Sequence, residues 1–177
     1  SRTHLLAYER GLRAAGVPFV SSRTGGLLDT LEASDLTALL RWLTMPADDL
    51  ALAHVLKSPI IGASDDDLIA LAHGDDSWWL RLQQAVAADR ATPPLRRAQA
   101  LLTDWLDAAR RLPVHDLLDR VLHEGDLVSR YAAASPDEAR PQVLGNLDAF
   151  LALSLELDAG RYPSIARFLE HLRRKQR

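Results

Sequence analysis

The chain has 177 residues, with 21 basic and 24 acidic side chains, a formal net charge of −3 and no cysteine. The lack of cysteine excludes disulfides and thiolate metal sites, and the negative charge argues against a sequence-independent grip on nucleic acid through many phosphate contacts. An apolar content of 47% predicts a folded globular protein. No apolar run approaches the ~20 residues that span a bilayer, so the sequence predicts a cytoplasmic protein without a membrane partner.

The first thirty residues differ in pattern from the rest. Leu5, Tyr8 and Leu12 recur at helical spacing, and residues 17–20 predict a short strand after that helix. A lone helix and strand do not make a stable unit, so residues 1–30 are predicted to be the remnant of a larger α/β domain. Because the helical pattern starts directly after Ser1, we expect a segment of a longer protein. A turn is predicted over residues 21–26.

Residues 31–177 predict an all-α, irregular multi-helix domain without internal repeats. A helix is predicted over residues 35–44 with Ser34 as its N-cap, and another is predicted to start at Ser135 and run to Asp158. The four tryptophans fall at apolar helix positions, which favours core packing over base stacking. They are Trp42, Trp78, Trp79 and Trp105.

A tight helical hairpin is predicted between residues 48 and 72. Pro59 biases Ser58 away from helix, and Gly62 permits a positive φ, so the chain reverses between the two helices. Ser64 is the predicted N-cap of the second helix, and residues 65–67 are three aspartates in its first turn. Successive helical residues diverge by about 100°, so these carboxylates suit the helix dipole better than a shared metal ion.

Three stretches share an order and spacing that carry a resemblance. They are Leu12-Arg13-Ala14-Ala15-Gly16-Val17-Pro18-Phe19; Leu39-Leu40-Arg41-Trp42-Leu43 with Pro46, Asp48-Asp49, Leu52, Val55-Leu56, Ser58-Pro59, Gly62 and Ser64-Asp65-Asp66-Asp67-Leu68; and Gly160-Arg161-Tyr162-Pro163-Ser164 with Phe168-Leu169. Together they resemble the region from motor domain 2A through the helical 2B subdomain in the UvrD, RecB and AddA group of superfamily 1 DNA helicases. The last stretch is similar to the AddA-like branch, of exodeoxyribonuclease V type.

The chemistry expected of a helicase or nuclease is missing from the sequence. No Gly-Lys dipeptide occurs, so there is no Walker A loop for ATP, and no acid stands two residues before a lysine, as the nuclease of some relatives requires. The six histidines lack the paired spacing of a helical zinc site, and no nucleophile-elbow pattern selects a serine. The resemblance therefore implies that a parent helicase binds ATP and magnesium outside this chain, which itself holds no cofactor or metal and performs no catalysis.

Two groups of residues are candidates for DNA contact. By resemblance, the hairpin carries an element whose backbone amides meet duplex phosphate, and here Ser64 and Ile61 replace the expected glycine and basic residue. The second group lies in a basic run in the last predicted helix, where the helix dipole equally favours cations. The candidates are Lys57, Ser58, Gly62 and Ser64, and Arg173, Arg174 and Lys175.

The resemblance predicts an accessory 2B-like subdomain of an ATP-dependent DNA helicase acting in repair and recombination. Such a subdomain touches duplex DNA near a single-strand junction, regulates unwinding, or binds partner helicase or nuclease subunits. The alternative is a free-standing helical scaffold for protein–protein interaction. A free-standing scaffold has no need of the helix and strand predicted within residues 5–20, whereas a helicase segment includes them.

Overall fold

The computed structural model describes residues 24–156 and 164–176, and within those ranges the chain is entirely helical between its turns. This confirms the all-α fold class. The helices are α1 (Thr24–Leu28), α2 (Leu31–Thr44), α3 (Asp49–Lys57), α4 (Asp65–Leu71), α5 (Trp78–Ala87), α6 (Pro93–Ala109), α7 (Val114–Glu124), α8 (Leu127–Ala134), α9 (Arg140–Leu153) and α10 (Ile165–Lys175). Among them none is long and apolar enough to cross a membrane.

Several predictions fall outside the described residues. These are the helix and strand within residues 5–20, the end of a long helix at Asp158, and the resemblance over residues 160–163. The predicted division into residues 1–30 and 31–177 likewise stays a prediction. The observed division is different in kind, because the chain forms two compact units, one of residues 1–34 with 112–177 and the other of residues 35–111.

The predicted turn over residues 21–26 is wrong from Thr24 onward, where α1 begins. Leu27 and Leu28 are buried, so this short helix is fixed by packing that outweighs the glycines before it. The break comes at Thr30, whose hydroxyl donates to the Leu27 carbonyl at 2.7 Å and accepts the Ala33 amide at 3.4 Å. Helix α2 therefore starts at Leu31, and Ser34, the predicted cap, lies inside it.

The predicted helix start at Ser135 is also wrong, because α9 begins at Arg140 after a turn over residues 136–139. The Ser135 hydroxyl donates backwards to the Tyr131 carbonyl at 2.6 Å, so it closes α8 and does not cap α9. The Arg140 guanidinium also reaches back, donating to the Ala132 carbonyl at 2.9 Å. These bonds hold the chain reversal in place of a cap.

Helix α9 is the centre of the first unit. Almost every residue from Leu144 to Leu153 is buried, including the polar Asn146 and Asp148. Phe150 meets Phe168 of α10 edge to face, with ring centroids 5.9 Å apart. A helix buried all round has no solvent face, which is why its sequence lacks a clear amphipathic period.

The second unit packs around Trp42 of α2 and Trp105 of α6, both fully buried. Core packing is thus confirmed for these two tryptophans. Trp78 and Trp79, at the start of α5, are half-buried, and the Trp79 ring meets Trp42 edge to face at 5.0 Å. Helices α2 and α3 are further joined by His54 Nε2, 2.8 Å from the buried Asp35 carboxylate.

Candidate nucleic-acid interface

The connection between α3 and α4 brings together the first four candidate residues. Ser58 is the C-cap of α3 and is buried, with 7% of its surface exposed. Its hydroxyl donates to the Val55 carbonyl at 2.8 Å and accepts the Ile60 amide at 3.2 Å. The Ser58 side chain thus builds the turn and does not face a ligand.

Gly62 adopts a positive φ of 75°, the conformation that the hairpin prediction requires. Its amide donates to the Ser58 carbonyl at 2.7 Å, and the next amide, of Ala63, donates to the Leu56 carbonyl at 2.8 Å. The backbone donors on this side of the turn are therefore spent inside the fold. A phosphate approaching Gly62 meets few unpaired amides here.

Ser64 caps α4, as predicted. Its hydroxyl accepts the Asp67 amide at 3.1 Å, and the Asp67 carboxylate accepts the Ser64 amide at 2.9 Å, which completes a capping box. The other Asp67 oxygen accepts the Thr92 hydroxyl at 2.8 Å, although Asp67 is almost fully buried. Asp67 therefore fastens the helix start to the segment before α6, a role that its place among three aspartates does not reveal.

The three aspartates point to different partners. Asp67 turns into the cap, whereas Asp65 pairs with the Lys57 ammonium at the surface. No group of three or more potential ligands is arranged around a metal position in the described part of the chain. Lys57 and Asp65 are 61% and 75% exposed, so the pair is of the solvent-screened kind that contributes about 0–1 kcal/mol.

One residue that supports the hairpin was missed by sequence reasoning. The Arg97 guanidinium of α6 donates to the Ile60 carbonyl at 2.8 Å. This contact holds the turn from a helix 37 residues further along the chain. Arg97 has no local signal, because one arginine on an amphipathic helix looks like any other.

The basic run lies in the last turn of α10, in the first unit, apart in sequence and unit from the hairpin. Arg173 lies 3.5 Å from the Glu170 carboxylate, and Lys175 lies 3.0 Å from Glu156. Arg174 is exposed. These positions also suit the negative end of the helix dipole.

Comparison with known proteins bears on the resemblance. No family model matches the chain. It is 29% identical over 167 residues, 92% of its length, to the ATP-dependent helicase/nuclease AddA protein of Anoxybacillus flavithermus. The resemblance to the AddA branch is confirmed. The Heliobacterium modesticaldum protein of the same name is 29% identical over 93% of the chain, and one from Bacillus cereus is 26% identical over 92%.

The AddA-like chain spans only 12 to 14% of the length of these relatives. The match covers both compact units of the chain. It does not assign a role to any of the seven candidate residues, which stay predictions. What the geometry adds is that Ser58, Gly62 and Ser64 are used by the fold, which leaves Lys57 as the side chain of this hairpin that is free to move towards a ligand.

Proposed function

We propose that this AddA-like chain is a 2B-like accessory subdomain of an ATP-dependent DNA helicase that acts in repair and recombination. The observation that carries the proposal is the continuous similarity of 92% of the chain to proteins named as helicase/nucleases. In this proposal ATP and magnesium belong to other parts of the parent protein, and partner helicase or nuclease subunits complete the complex. The chain performs no catalysis.

The proposed DNA contact in the hairpin is made by the Lys57 side chain. The amides of Gly62 and Ala63 are engaged within the turn, so the ammonium group is the donor left for a phosphate. Its present partner, Asp65, is an exposed carboxylate. Because such surface pairs are weak, exchanging Asp65 for a phosphate requires little free energy, and the pair then tunes how readily DNA binds.

The test is fluorescence anisotropy of a labelled forked duplex titrated with the chain at low and at moderate salt. Lys57→Glu is compared with Arg110→Glu, a matched charge reversal at a side chain that is 79% exposed on the other end of the same unit. We expect salt-sensitive binding that Lys57→Glu weakens and Arg110→Glu leaves nearly unchanged. Equal losses from both variants would show only a general charge effect.

The basic turn of α10 is the second proposed contact. Arg174 is exposed there, between Arg173 and Lys175, which both lie near carboxylates. We expect Arg174→Glu to weaken the same forked duplex without changing stability. A loss of affinity that appears only in Lys57→Glu would restrict the contact to the hairpin.

A helical scaffold for protein partners is the second candidate function. It is favoured by large apolar side chains that face solvent in the second unit, above all Leu50, which is 86% exposed, and Met45 and Ile69. Failure of the wild-type chain to bind a forked duplex even at low salt would favour this function over DNA contact.

A further inference from the structure

A pocket of about 360 Å³ lies within the second unit, away from the hairpin turn. It is formed by α4, the turn after it, α5 and the start of α6. Its lining combines polar and charged groups with apolar ones, and we call it the Arg81 pocket. The lining residues used here are Leu71, Asp76, Arg81, Gln84, Arg90 and Leu95. Its volume lies in the range of small-ligand sites.

Arg81 is held in one position by the backbone of Gly74. Its Nη1 donates to the Gly74 carbonyl at 2.9 Å. Gly74 has a φ of +123°, and a Cβ built there would lie 3.3 Å from both Cδ and Nη1 of Arg81. Only glycine gives the guanidinium this close seat, so its direction is set before any ligand arrives.

The Nε–H of Arg81 is buried and has no acceptor within hydrogen-bond distance among the described residues. A buried donor of a charged group without an acceptor is unfavourable. Guanidinium groups bind oxyanions through Nε–H and an Nη–H together, in a planar fork. The Arg81 pocket therefore presents an oriented donor that an oxyanion satisfies.

The other charges facing the pocket favour an anion on balance. Arg90 is an exposed second guanidinium in the lining. Of the two acids, Asp67 has one carboxylate oxygen bonded to the Ser64 amide and the other to the Thr92 hydroxyl, whereas Asp76 is exposed to solvent at the rim, where water screens its charge. His73 also lines the pocket. Helix α6 opens with Pro93 and Pro94, which lack amide protons, so side chains supply the donors.

We propose that the Arg81 pocket binds a phosphate group through Arg81 and Arg90. The apolar walls, which include Leu71 and Leu95, accommodate the carbon part of a phosphate ester. The phosphate belongs either to a nucleic-acid strand or to a free nucleotide, and both present the same oxyanion. The inference does not depend on the proposed helicase role, because inorganic phosphate alone tests it.

The test follows the arginine Nε–Hε resonances of the ¹⁵N-labelled chain by NMR during titration with inorganic phosphate at constant ionic strength. We expect a saturable shift of the Arg81 resonance and none at Arg110, which is exposed and already paired with Asp107. Arg81→Lys keeps the charge but removes the Nε–H, and should weaken binding roughly tenfold. Arg110→Lys is the matched control and should not change it.

A second variant guards against misfolding, since the Arg81 side chain packs on Gly74. Arg90→Gln changes an exposed side chain and should weaken phosphate binding several-fold with an unchanged melting temperature. The proposal is overturned if the Arg81 resonance does not move in millimolar phosphate, or if Arg110 moves in parallel with it.

Two further titrations identify the source of the phosphate. One uses an oligonucleotide with and without a 5′-phosphate, and the other uses thymidine monophosphate. Equal binding of both oligonucleotides assigns the pocket to backbone phosphodiesters, preference for the phosphorylated one assigns it to a strand end, and binding of the mononucleotide as tightly as the strand assigns it to free nucleotides. Because Lys57→Glu leaves the pocket intact, loss of phosphate binding and loss of forked-duplex binding are separate results.

Discussion

Asn146 Nδ2 donates a hydrogen bond of 2.7 Å to Glu32 Oε1, and both residues are buried. The bond joins the first turn of α2 to the middle of α9, across 114 residues of sequence. It gives a buried carboxylate a partner where solvent is excluded, so this one amide decides whether Glu32 is tolerated in the core of the first unit.

Removing the amide should be costly. Asn146→Leu leaves the Glu32 carboxylate buried without this donor, and we expect a loss of about 1–3 kcal/mol in the free energy of unfolding, measured by urea denaturation. The double variant Glu32→Leu with Asn146→Leu removes both polar groups and should recover part of that loss. A double variant less stable than the sum of the single ones would contradict the account.

The tryptophan pair separates a core residue from its cover. Trp42 is fully buried, so Trp42→Ala should lower the free energy of unfolding by about 3–5 kcal/mol. Trp79→Ala removes a half-buried ring and the edge-to-face contact, the contact being worth about 0.5–1.5 kcal/mol beyond the area it buries, and should cost clearly less. Thermal unfolding followed by circular dichroism ranks the two, and equal losses would refute the ranking.

Asp65→Asn should raise the affinity for a forked duplex, because it releases Lys57 from its carboxylate partner. Stability should change by less than about 1 kcal/mol. Asp66→Asn is the matched control, since Asp66 lies in the same first turn and is exposed. Both variants remove one negative charge from the start of α4, so a gain in affinity for Asp65→Asn alone isolates the release of Lys57.

The pH dependence expected at the end of α6 has a definite sign. Hydrogen bonds from Arg110 and then Arg111 hold the pKa of the Asp107 carboxyl below its ordinary value of 3.8. A carboxyl with a lowered pKa in the folded state contributes stability above its ordinary pKa, and that contribution is lost as the pH falls through the lowered value. Carboxyl NMR titration should therefore find Asp107 ionised below pH 3.8, and Arg110→Gln with Arg111→Gln should move the pKa up.

Local chemistry is what the sequence predicted well. The α3–α4 hairpin follows from Pro59, Gly62 and Ser64, each of which restricts the chain within a few residues. The start of α9 does not, because the Ser135 hydroxyl has a choice of acceptors and takes the Tyr131 carbonyl behind it. The same competition placed a helix on the glycines at 25 and 26, where burial of the following leucines decided the outcome.

The candidate site shows the same limit. Sequence reasoning located the hairpin residues, but it could not see that the Gly62 amide bonds to the Ser58 carbonyl. Nor could it place Arg81 over Gly74 or Arg97 under the turn, since these contacts depend on how separate helices pack. Contacts made by neighbours in sequence were predictable, and contacts made by neighbours in space were not.

The division of the chain into a continuous middle segment and a unit built from two separated segments has a consequence for biosynthesis. Residues 35–111 carry everything that their unit needs, so that unit can close its core while the ribosome is still adding later residues. Glu32, by contrast, emerges long before Asn146 does. During translation its carboxylate must stay hydrated until α9 has been made, which sets the order in which the two cores mature.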